Sequence, residues 1–476
     1  AEFTAMGDAV NLASRLEHAA PVGGVLISND TYRQVRGIFD VSPQAPLAVK
    51  GKTEPVQTYV VQQAKPRAFR MATRGVEGVE TRMVGREAEM LALQSAYADV
   101  MESAETRVIT VIGEAGVGKS RLLYEFDNWI ELRPEQIYYF KGRANRNLQN
   151  VPHSLFRDLF AFRFDILDSD PTAVALAKFQ AGMAGILDAE LADVAGHWLG
   201  FDFSSSDAVK LLLGSGNFKA IARAHLTRYF RALAAAGPVV ILLEDIHWAD
   251  DQSLDLVAYL ATTIPEARLL VVAVTRPSLF ERRPNWSEGE AAFQQVHLKP
   301  LSNSASRALV NEILQRVDDV PGALRDLIID AAEGNPFYVE ELIKMLIEQG
   351  VIERDIEDLR GLPKTSEVSR WRVRDDKLAA VKVPPTLTGL LQARLDALPR
   401  PEREALQRAS VIGRLFWDDC VADLLQTETG AIDPVLAATR DRELIFRREH
   451  SAFARCGEYI FKHVLLRDVA YETVLL

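Results

Sequence analysis

The stretch Gly113-Glu114-Ala115-Gly116-Val117-Gly118-Lys119-Ser120 constrains this chain more than any other. It fits the pattern G-x-x-x-x-G-K-[ST], and its flanks suit a loop that cradles phosphate. Upstream, Val108-Ile109-Thr110-Val111-Ile112 is a short apolar, β-branched run, as expected of a strand buried on both faces. Downstream, residues 121–130 space Leu122, Leu123, Phe126 and Trp129 like one face of a helix. Strand, glycine loop and helix form a unit whose glycines let the backbone wrap tightly. Its N–H groups then point at phosphate oxygens, and the helix N-terminus adds positive potential. On this reading Gly113, Gly116 and Gly118 shape the loop, Lys119 reaches the outer phosphates of ATP and the Ser120 hydroxyl ligates Mg²⁺. The alternative is a glycine turn with a surface lysine, and the flanking strand and helix argue against it.

A second motif, Val239-Val240-Ile241-Leu242-Leu243-Glu244-Asp245-Ile246-His247-Trp248-Ala249-Asp250, supplies the acids such a site needs. Five apolar residues make a buried strand, and Glu244 and Asp245 at its carboxyl edge face the phosphate loop, where open α/β sheets bind ligands. One acid is expected to hold Mg²⁺ through water and the other to polarise the attacking water. Glu244 stands where most such enzymes place the metal-binding aspartate, so the division of work between the two stays open. His247 and Trp248 read as packing residues. A further strand over 269–274 runs into Thr275-Arg276-Pro277, and beyond Pro300 the chain turns helical. Residues 353–382 are charged and aperiodic, which predicts a loop. Helices are expected over 387–398, 402–412, 418–425 and 434–442, followed by strands over 444–447 and 459–461.

A chain of 476 residues is too long for one core and implies two to four domains. With 66 acidic and 55 basic residues the net charge is −11, which argues against nonspecific nucleic-acid binding by the chain as a whole. Cys420 and Cys456 lack metal spacing and read as reduced thiols, and no apolar run approaches a membrane span. A cytoplasmic protein is expected. The chain starts inside a strand-like run, Glu2-Phe3-Thr4-Ala5-Met6, and stops in an apolar helical pattern, so a segment of something longer is expected.

Resemblances sharpen these expectations. FTAMGDAVNLASRLEHA, GGVLIS and LAVKGKTEPVQTYVV, all within residues 1–62, resemble the C-terminal half of a class III nucleotide cyclase domain. The resemblance implies a partial ferredoxin-like fold in which Asn11 orients the ribose, Arg15 stabilises charge on the α-phosphoryl group and Lys50 contacts the outer phosphates. Asn11 and Arg15, four apart on a predicted helix, share a face. Lys50-Gly51-Lys52 also reads as a plain basic turn. Thr4 stands at the purine-recognition position, where threonine resembles the bicarbonate-responsive adenylate cyclases. The family's metal-binding aspartates lie upstream of the matched region, so a second cyclase domain, from a homodimer or an internal pair, is the expected partner.

Val84-Gly85-Arg86-Glu87, LLEDIHWAD and Gly334-Asn335-Pro336-Phe337-Tyr338-Val339-Glu340-Glu341-Leu342 resemble the STAND branch of AAA-related ATPases. That resemblance implies an α/β P-loop domain with a parallel sheet over 83–300, a helical lid over 301–383 and a winged-helix domain over 384–462. A linker over 63–82 precedes them, and residues 463–476 look like the lead-in to a helical repeat array. It also places Arg86 beside the adenine, makes Arg276 a sensor of the γ-phosphate and puts Pro336 against the nucleotide; a surface salt bridge competes for Arg276. Arg440, Arg442, Arg447, Arg448 and Arg455 could form a basic face for DNA, although no nucleic-acid partner is expected. The combined expectation is a signalling adenylate cyclase gated by an ATPase that turns over slowly. The alternative is an ATP-switched regulator or scaffold carrying an inactive cyclase remnant.

Overall fold

The computed structural model describes residues 8–21, 23–29, 31–32, 39–47, 55–64, 76, 79, 81–133, 135–287, 291–317, 319–354, 370–448, 451, 453 and 456–474. The chain divides into two compact units, Ala1–Phe69 with Leu123–Ile137, and Arg70–Leu122 with Tyr138–Leu476.

In the first unit, helix α1 (Asp8–Ala19) precedes strands β1 (Val25–Ser28), β2 (Phe39–Leu47) and β3 (Val56–Ala64). The strands form an antiparallel sheet in the order β1-β3-β2, with Val25 opposite Val61 and Ser42 opposite Val60. Leu16 from the helix and Ile27 from β1 are buried, and Tyr32 stacks on Tyr59 with centroids 4.1 Å apart.

The second unit holds the P-loop domain. Helix α2 (Glu87–Ser103) leads into β4 (Arg107–Ile112), and α3 (Lys119–Glu131) starts within the glycine motif, its residues from Leu123 onward being counted with the first unit. Strand β5 (Tyr138–Arg143) follows. Five helices then intervene before the second motif: α4 (Ser154–Arg163), α5 (Thr172–Met183), α6 (Ala189–Trp198), α7 (Asp207–Leu213) and α8 (Phe218–Ala236). They are held by an aromatic cluster in which Phe160 meets Phe140, Phe164, Phe179, Tyr229 and Phe230, with centroids 5.5–5.9 Å apart. Offset and edge contacts of this kind add to the area that the rings bury. The domain continues with β6 (Val239–Glu244), α9 (Asp251–Thr263), β7 (Leu269–Thr275), α10 (Ser278–Arg282) and β8 (Phe293–His297). The five strands are all parallel, in the order β5-β6-β7-β4-β8. The three inner strands, β6, β7 and β4, are buried along nearly their whole length, which explains their continuous apolar character.

Helices α11 (Asn303–Ile313), α12 (Gly322–Ala332) and α13 (Pro336–Glu348) form the lid around a core that includes Val310, Ile328, Leu342 and Leu346. The expected loop over 353–382 is corrected in part. Strand β9 (Ile352–Arg354) pairs antiparallel with β10 (Trp371–Val373), and a short helix, α14 (Asp375–Leu378), follows. Three-residue strands are too short to show alternation, and burial of Trp371 at 4% exposure explains why they form. The winged-helix layer has α15 (Leu387–Asp396), α16 (Arg400–Ile412), β11 (Leu415–Trp417), α17 (Asp418–Leu425), α18 (Thr429–Asp441), β12 (Ile445–Arg447), β13 (Glu458–Phe461) and α19 (Val464–Glu472). Its antiparallel sheet runs β11-β13-β12, and β11 went unrecognised in the sequence. Pro434 lies inside α18 instead of opening it. Helix α19 lays Leu466, Val469 and Ala470 into the same core as Leu406 and Phe461.

Candidate functional site

The carboxyl ends of four parallel strands converge on the glycine loop. Strand β4 delivers the loop, β5 ends in Arg143, β6 ends in Glu244 and Asp245, and β7 runs into Arg276. Gly116 and Gly118 have φ of +83° and +99°, a region that favours glycine, so the loop's sequence follows from its shape. A Cβ on Gly116 would meet the Asn335 side chain at 2.5 Å. That closeness reflects a staple between lid and loop. Asn335 Nδ2 donates to the Ala115 carbonyl at 3.1 Å, and the Phe337 N–H donates to the Gly116 carbonyl at 3.3 Å. Asn335 also caps α13 by accepting from the Phe337 and Tyr338 N–H groups, with Pro336 in the first turn. Pro336 thereby lies beside the loop.

Lys119 Nζ donates to the carbonyls of Gly113 and Glu114, each at 2.7 Å. Burial, aided by the Arg276 charge, pushes its amine down to about 8, against the opposing pull of Asp245 and Glu114. Ser120 is exposed in the first turn of α3. Among the described residues the Arg276 guanidinium makes no hydrogen bond or ion pair, although its charge bears on Lys119, Asp245 and His247. Arg86 is buried and committed elsewhere. Its guanidinium donates to the Val117 carbonyl at 2.9 Å and the Lys299 carbonyl at 2.7 Å, and it pairs with Glu89 at 3.2 Å, so in this structure it braces the loop.

The two acids are held by arginines that the sequence reading did not single out. Arg143 pairs with Glu244, and its Nε lies 3.4 Å from Asp245 Oδ2, while the Arg143 backbone N–H donates to Asp158 at 2.7 Å. Arg414, from the winged-helix layer, brings Nη1 to 3.8 Å from the same Asp245 oxygen. Burial works to raise the Asp245 carboxyl, but Arg143 and Arg414 outweigh it and hold it below the usual range. Asp245 itself sits in the left-handed region at φ 55° and turns β6 into the one-turn helix Ile246–Trp248. Asp250 serves structure. It caps α9 through the Ser253 N–H at 2.9 Å and accepts from the His153 N–H at 2.8 Å. Arg143 stands at a strand end, a placement visible only once β5 is recognised; Arg414 follows a glycine and carries no local signal.

His463 opens α19, accepts the Leu465 N–H at Nδ1 at 3.2 Å and stacks on Phe337 with centroids 4.0 Å apart. Burial first, then Arg414 and Arg276, push its ring down to about 3. Because the folded value lies below the unfolded 6.5, the unfolded chain takes up the proton first, and stability is lost as pH falls from about 6.5 towards 3. We expect roughly 2 kcal/mol of destabilisation at pH 5 relative to pH 7. Urea unfolding at the two pH values reads it, and His463→Asn, which can still cap α19, should lower the dependence by about that amount and leave the share of His247, whose ring burial pushes down to about 4. An unchanged slope in that variant would exclude His463 as its source.

In the first unit, Asn11 and Arg15 both belong to α1, and Arg15 is exposed; the Asn11 side chain, Thr4 and Lys50 lie outside the described residues. Of the arginines considered for a DNA face, Arg442 pairs with Glu402 at 2.9 Å, Arg448 with Glu458, and Arg440 lies 3.7 Å from Asp441. Arg455 lies outside the described residues.

Residues 82–272 match the AAA ATPase domain family, and residues 1–63 match the adenylate and guanylate cyclase catalytic domain. The chain joins a cyclase catalytic-domain segment to an AAA ATPase domain. The lid region, residues 302–360, matches a domain family of unknown function. An uncharacterized protein of Rhizobium meliloti (strain 1021) is 26% identical over 478 residues, covering 98% of this chain and 43% of its own length. The chain thus spans less than half of that relative. A STAND protein with a tetratricopeptide repeat sensor from Pyrococcus horikoshii is 14% identical, with 84% of this chain and 44% of that one covered and a TM-score of 0.44. The Aeropyrum pernix Orc1 protein, solved with DNA, is 13% identical, with coverages of 84% and 96% and a TM-score of 0.36. Among the described residues, no helix is long and apolar enough to cross a membrane.

Proposed function

We propose that this chain is a segment of a signalling adenylate cyclase whose STAND-type ATPase module binds ATP, hydrolyses it slowly and gates the cyclase. The observation that carries the ATPase half is a free cation among the four strand ends. Lys119, Arg143, Arg276 and Arg414 gather around Glu244 and Asp245, Glu114 also acts on Lys119 and Asp158 on Arg143, and Arg276 has no protein partner among the described residues. An arginine without a protein partner beside a glycine loop suits a polyphosphate. The Ser120 hydroxyl and the Glu244 and Asp245 carboxylates are hard oxygen donors, a set that fits Mg²⁺. When bound, Mg²⁺ would neutralise charge on the β- and γ-phosphates. Lys119 and Arg276 would offset the charge that develops as water attacks the γ-phosphorus, and one of the two acids would orient that water. In the cyclase half, the ribose 3′-hydroxyl attacks the α-phosphorus and diphosphate leaves. Asn11 and Arg15 would supply ribose and phosphoryl contacts to a site completed by a second cyclase domain.

The test incubates the longer polypeptide, of which we take this chain to be a segment, with ATP and Mg²⁺ and separates cyclic AMP from ADP. Asn11→Ala should lower cyclic AMP by about 10²-fold, the effect of removing one transition-state donor, and leave ADP unchanged. Lys119→Ala should remove ADP. Formation of ADP without cyclic AMP would leave an ATP-switched regulator carrying a silent cyclase fold.

A further inference from the structure

A cavity of about 400 Å³ is lined by α9, by residues 282–287 and by Phe293 at the start of β8. That volume and a lining that mixes apolar walls with a few polar groups are those of a small-molecule site. Its aromatic members are Tyr259, Trp286 and Phe293, and its charged ones are Asp255, Arg282 and Arg283. The aromatic wall is fixed by contacts of its own. Trp286 is 7% exposed, meets Phe293 edge to face with centroids 5.8 Å apart and donates its indole N–H to Thr110 Oγ1 at 3.1 Å. The Arg223 guanidinium lies 4.1 Å over the Tyr259 ring. A wall held in this way takes up a flat ring with little further ordering.

The two arginines are held differently. Arg283 Nε donates to Asp251 Oδ1 and its Nη1 to Asp255 Oδ1, each at 2.9 Å, and its Nη2 reaches the Asp251 carbonyl at 3.0 Å. Both carboxylates are more than half exposed, so these pairs are weak and exchange readily. Arg282 instead braces the turn that follows Glu244 and Asp245, donating to the Ala249 carbonyl at 2.7 Å and the His247 carbonyl at 3.5 Å. Its Nη1 shares the same Asp251 oxygen at 3.3 Å. Asp251 therefore links the cavity to the turn beside the two acids.

We infer that this cavity binds a small planar carboxylate, its ring against the aromatic wall and its carboxylate on the Arg283 fork in place of Asp255 and Asp251, and that the bound ligand weakens nucleotide binding at the glycine loop. Released by Arg283, Asp251 draws on Arg282, whose hold on the Ala249 carbonyl loosens. The coupling rests on the reading of the glycine loop as an ATP site, and the binding does not.

The experiment titrates this chain with 2-naphthoate as the probe and with 2-naphthylmethanol as its neutral counterpart, first without nucleotide. Naphthoate should saturate one site, and binding should weaken about tenfold in Arg283→Met or when the alcohol replaces the acid, as expected for a charged hydrogen bond. Saturating naphthoate should then weaken the affinity for a fluorescent ATP analogue about fivefold and no further. Arg282→Met should remove that shift and keep naphthoate affinity within about threefold of wild type. Absence of a saturable site would overturn the inference, as would equal affinity for acid and alcohol. A shift that keeps growing with naphthoate would place the probe at the glycine loop and overturn it too. If the analogue shows no Lys119-dependent binding, the ATP reading fails and the naphthoate titration alone decides the cavity. If the analogue binds and saturating naphthoate leaves its affinity unmoved, the coupling is overturned while the ATP reading stands.

Discussion

Replacing Lys119 with alanine should weaken ATP binding at the glycine loop on the order of a hundredfold, a loss of about 3 kcal/mol. Lys119 is 9% exposed, and among the described residues its amine bonds only to backbone carbonyls of its own loop, so it can turn to a phosphate without breaking an ion pair to a carboxylate. Titration with a fluorescent ATP analogue reads the affinity directly. Since the amine titrates near 8, wild-type affinity should decline as pH rises past that value, while Lys119→Arg should show a flatter profile. Undiminished affinity in Lys119→Ala would remove the glycine loop from nucleotide binding. The change should leave the fold intact, because it frees two carbonyls at a loop and empties no core position.

The largest effect on stability is expected from Glu341→Ala. Glu341, on α13, is 2% exposed and joins Arg394 of α15 to Lys344, whose Nζ lies 3.4 Å away. Lys344 in turn reaches Glu443 at 2.7 Å, and Lys462 reaches the same carboxylate at 3.1 Å, so the network ties the lid to the winged-helix layer. Burial works to raise the Glu341 carboxyl, but Arg394 and Lys344 hold it down to about 2. Truncating Glu341 leaves Arg394 paired with Glu348 alone and Lys344 with Glu443 alone, so the loss should fall near the low end of the about 3–5 kcal/mol that breaking a buried pair costs, whereas replacing the set with apolar residues is often neutral. Chemical unfolding should therefore show a large loss in Glu341→Ala and a much smaller one in Glu341→Leu combined with Arg394→Met. A single-variant loss under about 1 kcal/mol would show that the network relaxes or is reached by water.

The P-loop sheet was legible where both faces of a strand are buried. β4, β6 and β7 are runs of Val, Ile, Leu and Ala that no surface element would carry, and the glycine spacing located the turn after β4. The helical insertion between β5 and β6 was not legible, because its helices bury faces against one another and their apolar patterns do not announce partners. β9 and β10 escaped because each is three residues long.

The site divides in the same way. Residue type and spacing named Lys119, Ser120, Glu244 and Asp245, because phosphate and metal chemistry demands those groups at a glycine loop and a strand end. They could not name Arg143, which meets Glu244 across 101 residues of sequence, or Arg414, which reaches Asp245 from another layer. They read His247 as packing, since only the tertiary surroundings reveal that its nitrogens are buried without partners. Local chemistry is written in neighbouring residues, and sequence alone determined the loop, its strands and the acids. Which charges face those acids, and which buried ring is left unsatisfied, depends on contacts between distant segments, and only the tertiary structure decided them.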